Sequence, residues 1–133
     1  MAIPRNLLWQ NQGFLLDRIQ AGYNHGDEWM DAVCEYLRGN VELVNAFVAE
    51  KMPKVHVTRH EGTFLMWLDM TCAGKPSGEI TSILAKEYGL ALGDGSHYGK
   101  QADGFMRLNI GCTRSVLQQG PEGLERFYRD YVK

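Results

Sequence analysis

Cysteine is scarce in this 133-residue chain, and the three that occur, Cys34, Cys72 and Cys112, stand far apart with no CxxC pair. Neither a disulfide framework nor a cysteine zinc site is indicated. The thiols are expected to be small apolar core residues of a protein in reducing cytosol, so the expected location is cytoplasmic. Charge of either sign is not in excess: 14 basic residues face 16 acidic ones, for a net charge of −2. That balance offers no electrostatic footprint for nucleic acid or for an anionic membrane surface. No stretch approaches the ~20 apolar residues a membrane span requires. The opening MAIPRNLLWQNQGFLLDRIQ interrupts its apolar residues every few positions and holds no apolar region of signal-peptide length. The four histidines show no HxH or HExxH spacing, and no GxSxG elbow occurs, so neither a metal site nor a serine triad is expected. Repeats, low-complexity runs and Pro/Gly/Ser linkers are absent.

What remains is ordinary globular text: 44% hydrophobic and 23% charged residues, with a length that suits one domain. Residues 5–21 carry an untidy helical pattern, broken by Gly22 to Gly26. From Asn24 to Lys51 the pattern is clear. Trp29, Val33, Tyr36, Leu37, Val41, Val44, Phe47 and Val48 recur at helical spacing, Asn24 is placed to cap, Pro53 stops the run, and Gly39-Asn40 suggests a bend. Alternation predicts strands over 54–59 and 63–69, a short strand over 90–92, and a last strand over 105–110. Helices are predicted over 76–88, with Ser77 as cap and Gly89 as the left-handed stop, and from Gly120-Pro121 to about 132. The stretch 93–104 is a twelve-residue loop with four glycines, and loops of that length in compact domains usually serve function. Its GDGSHYG segment lacks the GKS or GKT of a phosphate loop. The order of elements implies an α/β fold (an α+β sandwich): a small mixed or antiparallel sheet covered by helices.

The last strand carries the most chemistry. In Phe105–Ile110, alternation places Met106, Leu108 and Ile110 on one face and Phe105, Arg107 and Asn109 on the other. A guanidinium on the inner part of a sheet needs an anionic partner, because burying it unpaired is costly. Its planar fork matches a carboxylate. Arg107 is therefore a candidate carboxylate-binding residue, with Asn109 beside it. An internal salt bridge or an exposed strand end is the alternative. Arg114 alone reads as a surface charge.

Several segments, taken in order, resemble one family. Tyr23-Asn24-His25-Gly26-Asp27-Glu28-Trp29-Met30-Asp31, Tyr36-Leu37-Arg38-Gly39-Asn40 and Glu61-Gly62-Thr63-Phe64-Leu65-Met66-Trp67-Leu68-Asp69 are similar to the C-terminal domain of class I/II, fold-type I aminotransferases that use pyridoxal phosphate. Within that family they are most similar to the cystathionine β-lyase-like (C–S lyase) branch. Gly95, Tyr98, Gly99, Gly104-Phe105-Met106-Arg107-Leu108-Asn109 and Cys112-Thr113-Arg114-Ser115 continue the match. The resemblance implies that residues 21–133 are the small domain of such an enzyme, preceded by a long interdomain helix. Residues 1–20 match poorly. It also implies that Arg107 binds a substrate α-carboxylate, with Asn109 in support. Ala102 and Thr113 depart from the branch, which has glycine and proline there.

The family's Schiff-base lysine lies in a large domain that this sequence does not include, and Lys51, Lys54, Lys75, Lys86, Lys100 and Lys133 are in the wrong context to replace it. The expectation is thus a domain-sized piece, excised or encoded by a shortened gene. Pyridoxal phosphate belongs to the parent enzyme and none is expected on this chain alone. The parent's partner is an amino-acid substrate, and a homodimer is the expected assembly. Whether the chain is itself an enzyme stays open. The alternative is a stand-alone, non-enzymatic α/β domain that binds a partner or a small carboxylate.

Overall fold

Helix α1 (Arg5–His25) runs straight through Gly22 and ends only at Gly26. The computed structural model describes residues 5–132, with side chains from Leu15 onward. Asn24 is thus inside α1 and is not the expected cap. Gly26 is the punctuation: a Cβ there would collide with the Gly22 carbonyl, and its own carbonyl accepts the Met30 N–H to start α2 (Asp27–Lys51). Asp27 and Glu28 occupy the first turn of α2, where the helix dipole favours acids. Helix α2 is continuous through Gly39-Asn40.

The chain divides into two compact units, Met1–Tyr36 and Leu37–Lys133. In the first, Leu15, Ile19 and Trp29 are each more than half exposed. The second holds the sheet and the core. Strand β1 (His56–Val57) is an edge strand and much shorter than expected, and just beyond it the Thr58 N–H and hydroxyl both donate to the Trp67 carbonyl of the neighbouring strand. Strand β2 (Leu65–Asp69) begins two residues late, after Thr63 adopts a positive φ of 67° and its hydroxyl accepts the Leu65 N–H. Helix α3 (Ser77–Glu87) starts after Pro76, with Ser77 its first residue instead of its cap, and Gly89 closes it at φ 66° as expected.

The third strand is displaced. Leu90 and Leu92 pack against the core but make no ladder, and the pairing residues are Gly93–Asp94 (β3). The expected long loop is in fact β3 followed by two short 3-10 turns, Gly95–Tyr98 and Lys100–Ala102. Strand β4 (Phe105–Asn109) follows. The final helix α4 (Arg114–Tyr131) begins six residues before Gly120. Only Leu117 is buried between Arg114 and Gln119, so the start carries little apolar periodicity, and Pro121, read as a beginning, sits inside the helix, buried with Leu117 and Leu124.

The sheet has the order β1-β2-β4-β3 and is antiparallel throughout. Met66 and Leu68 of β2 and Met106 and Leu108 of β4 point to one face. There they join Val44 and Val48 of α2, Ile80 and Leu84 of α3, and Leu117, Leu124 and Phe127 of α4 in a single apolar cluster. The helices cover that face, and alternation sends Trp67 and Arg107 to the other. The cysteines depart from expectation: Cys34 is exposed, while Cys72 and Cys112 are half-buried. Burial pushes the Cys72 thiol above its ordinary pKa, which keeps it protonated.

Asp103 fastens the segment before β4 to α3. Its Oδ1 accepts the Ser77 N–H at 2.8 Å and the Ser77 hydroxyl at 2.9 Å, and Ser77 in turn accepts the Gly104 N–H. A carboxylate at a helix N-terminus is favoured by the dipole. The Ser77 backbone and hydroxyl donors hold the Asp103 carboxyl below its ordinary 3.8. A carboxyl lowered in the folded state adds stability above its unfolded pKa and loses it as pH falls through the folded value. Asp103→Asn is therefore expected to melt below the wild type at pH 7 and to approach it as the pH drops under 4, an order-of-magnitude window set by that linkage. Thermal melts at several pH values check this. A difference independent of pH would contradict it.

Candidate functional site

Arg107 lies at the middle of β4, between Trp67 of β2 on one side and Gly93 of β3 on the other. Gly93 is needed there. A Cβ at that position would sit 3.1 Å from both the Cβ and the Nε of Arg107, too close to leave the arginine undisturbed. The Arg107 side chain is half-buried, and its Cζ stands 4.8 Å from the centroid of the Tyr98 ring. Tyr98 meets Trp67 edge-on, with centroids 5.4 Å apart and planes at 88°. Among the described residues, no carboxylate pairs with Arg107.

Beside this group is a cleft of about 350 Å³. Its walls are the β1–β2 connection, Thr58 to Thr63, together with Trp67 and Arg107. Arg59 and Glu61 form an exposed pair at 3.1 Å, so their charges offset and Arg107 supplies the net positive charge of the cleft. His60 contributes to the wall, and among the described residues its buried Nε2 has no hydrogen-bond partner. The strained φ of Thr63 falls in this same connection. Such strain is held in place only where surrounding contacts over-determine it.

The two candidates on β4 are not brought together. Asn109 is exposed, and its Oδ1 accepts the Gly111 N–H at 2.8 Å, which makes it a turn residue at the strand end. It does not line the cleft, and among the described residues no hydrogen bond joins it to Arg107. A residue that sequence reading passed over anchors this end of β4 instead. Asn40, fully buried on α2, donates its Nδ2 to the carbonyls of Ile110 at 2.9 Å and Cys112 at 3.1 Å. Gly39 beside it leaves space for the Arg114 guanidinium, against which a Cβ would collide, so Arg114 reaches back to α2. A polar residue at a buried helical position, as Asn40 is among Leu37, Val41 and Val44, is the sequence signal that could have found this anchor.

The loop glycines hold structure of their own. Asp94 Oδ1 accepts the Ser96 N–H and hydroxyl, and Gly95 fits where a Cβ would strike the carbonyls of Ala102 and Phe105. Among the described residues, no three His, Cys, Asp or Glu side chains are grouped to hold a metal ion, and no helix is long and apolar enough to cross a membrane.

No protein-family model matches the chain. Similarity to individual proteins is nevertheless extensive. The chain is 33% identical over 119 residues to the cystathionine β-lyase PatB of Bacillus subtilis, covering 90% of this chain and 31% of that protein. It is 33% identical over 108 residues to protein MalY of Escherichia coli, covering 78% of this chain and 27% of that protein. The chain thus spans about a third of the length of the curated relatives it matches. Among solved structures, a pyridoxal-phosphate-bound protein of Clostridium difficile assigned as an aminotransferase superposes with a TM-score of 0.76 at 28% identity. That match covers 93% of this chain and 35% of that one. Cystalysin from Treponema denticola, which contains pyridoxal 5′-phosphate, superposes with a TM-score of 0.77 over 82% of this chain and 28% of its own; at 23% identity it shows the shared fold.

Proposed function

The chain belongs to the cystathionine β-lyase-like branch of the pyridoxal-phosphate-dependent aminotransferases, and from that premise we propose that it supplies the substrate-carboxylate side of such an enzyme's active site, with Arg107 taking the carboxylate. One observation carries the reading. Arg107 is half-buried at the wall of a cleft, and among the described residues no acid competes for its donors. A guanidinium so placed offers a carboxylate two parallel charge-assisted hydrogen bonds. Holding the carboxylate in that fork fixes the orientation of the amino acid's Cα, and orientation of a reacting centre is a large part of catalysis. The substrate class is an α-amino acid, and the parent activity is transamination or carbon–sulfur β-elimination.

The described residues do not by themselves hold the cofactor. Pyridoxal phosphate needs an amine for its aldehyde and donors for its phosphate. No described lysine lines the cleft, and the amines of Lys51 and Lys75 are engaged by Glu50 and Glu79. The contribution of this chain is therefore binding and orientation of substrate.

Titration of the isotope-labelled chain with L-alanine tests the reading. Saturable shifts are expected at the backbone amides of Arg107 and of its cross-strand neighbours Trp67 and Gly93. Shifts scattered over surface lysines, or none on β4, would remove Arg107 as the binding group.

A further inference from the structure

An arginine that must meet a ligand faces two demands that conflict. Its long side chain has to be held still, yet its five N–H donors, all in the guanidinium plane, have to stay free. An aspartate or glutamate would hold it but would occupy those donors. Arg107 is held otherwise. Among the described residues it has no acid partner, and its Cζ lies over the Tyr98 ring at 4.8 Å. A cation over an aromatic face is attracted by the ring's negative face, and this uses no N–H.

The ring is itself held. Trp67 braces it edge-on at 5.4 Å, the geometry that aromatic pairs prefer. Its backbone closes a 3-10 turn that Asp94 caps and that Gly95 locks against Ala102 and Phe105. Tyr98 is nonetheless 55% exposed, an unusual cost for a large ring unless that ring serves a contact. We propose that Tyr98 is the positioning residue of Arg107: its ring, braced by Trp67, holds the guanidinium so that the fork meets a carboxylate ligand with all of its donors free. This rests on the reading of Arg107 as the carboxylate-binding group. The ring does the positioning and the hydroxyl takes no part, because among the described residues the Tyr98 hydroxyl has no hydrogen-bond partner.

The test compares Tyr98→Leu, Tyr98→Phe and the wild-type chain. Each is titrated with L-alanine, with relaxation of the Arg107 Nε–H signal recorded alongside. Tyr98→Leu should weaken binding about three- to tenfold, the range that loss of one cation–π contact allows, and should leave the Arg107 Nε–H more mobile. Tyr98→Phe should restore both. Equal binding and equal Nε–H order in Tyr98→Leu overturn the inference while leaving the carboxylate site standing, and so does a Tyr98→Phe variant as impaired as Tyr98→Leu. A wild-type chain that binds no L-alanine at Arg107 overturns both. If Tyr98→Leu does not fold, the wild-type Nε–H decides: mobility typical of a free surface arginine overturns the inference.

Discussion

Replacing Arg107 with lysine is expected to weaken binding of an α-amino acid carboxylate about ten- to hundredfold, the equivalent of losing one charge-assisted hydrogen bond worth about 1.5–3 kcal/mol. Lysine keeps the charge but not the planar fork, so one of two parallel bonds goes and the remaining one is poorly directed. It also gives up the delocalised cation that lies over Tyr98. Stability of the chain should hardly change, because among the described residues no acid is left without its partner when the guanidinium is removed. The pair of measurements matters more than either alone. Affinity for L-alanine should fall while the denaturation midpoint stays within experimental error. The opposite pattern, intact affinity with a lowered midpoint, would make Arg107 a structural residue of the sheet.

Phe127→Ala should have the largest effect on the fold, a loss of about 3–5 kcal/mol, the usual range for removing a buried phenylalanine. Phe127 has no exposed surface and belongs to the cluster under β2 and β4. It stacks on Tyr131 at 4.8 Å and meets Tyr88 edge-on at 6.0 Å, so truncation empties the centre of a three-ring group. Neither neighbour can readily collapse into the space, because the Tyr88 hydroxyl donates to Asp130 at 2.6 Å and the Tyr131 hydroxyl to Glu87 at 3.4 Å. A domain with about 5–15 kcal/mol of total stability would lose a large share of it. Urea denaturation checks the value. A loss under about 1 kcal/mol would mean that the core repacks around the void.

The position of Arg107 on the sheet face away from the core was legible in the sequence, and two local rules single the residue out. Strand alternation separates it from Met106 and Leu108, and its chemistry then asks for an anion. The order of helices and strands was legible for the same reason: Val41, Val44 and Val48, and Ile80, Ile83 and Leu84, recur at spacings of three and four that a strand does not give, and Met66 with Leu68 at the strand spacing of two. Asn109 stands apart from the Arg107 cleft because alternation reports which side of a sheet a residue faces, not whether its side chain is drawn into the next turn, where the Gly111 N–H is its partner. Boundaries failed wherever a distant contact outweighed local preference. Pro121 is a helix starter by local rules, yet it lies mid-helix because Leu117 and Leu124 both reach the core. Leu90 and Leu92 pattern as a strand, yet β4 pairs with Gly93 and Asp94, and Gly93, which has no Cβ, lies close against the Arg107 side chain.

The sequence alone determined what depends on neighbours a few residues apart: the kinds of element, the apolar face of each, the placement of Arg107 on the sheet face away from the core, and the family that the ordered motifs resemble. The tertiary structure decided what depends on residues far apart in the chain. It brought Trp67, Gly93 and Tyr98 around Arg107 from β2, β3 and a 3-10 turn, and it drew the Thr58–Thr63 connection alongside as the wall of a cleft. It also set Asn40 against the end of β4 across a separation of 70 residues. No periodicity records such meetings, because they arise from packing one sheet face against three helices, and that packing fixes which loops are left beside the opposite face.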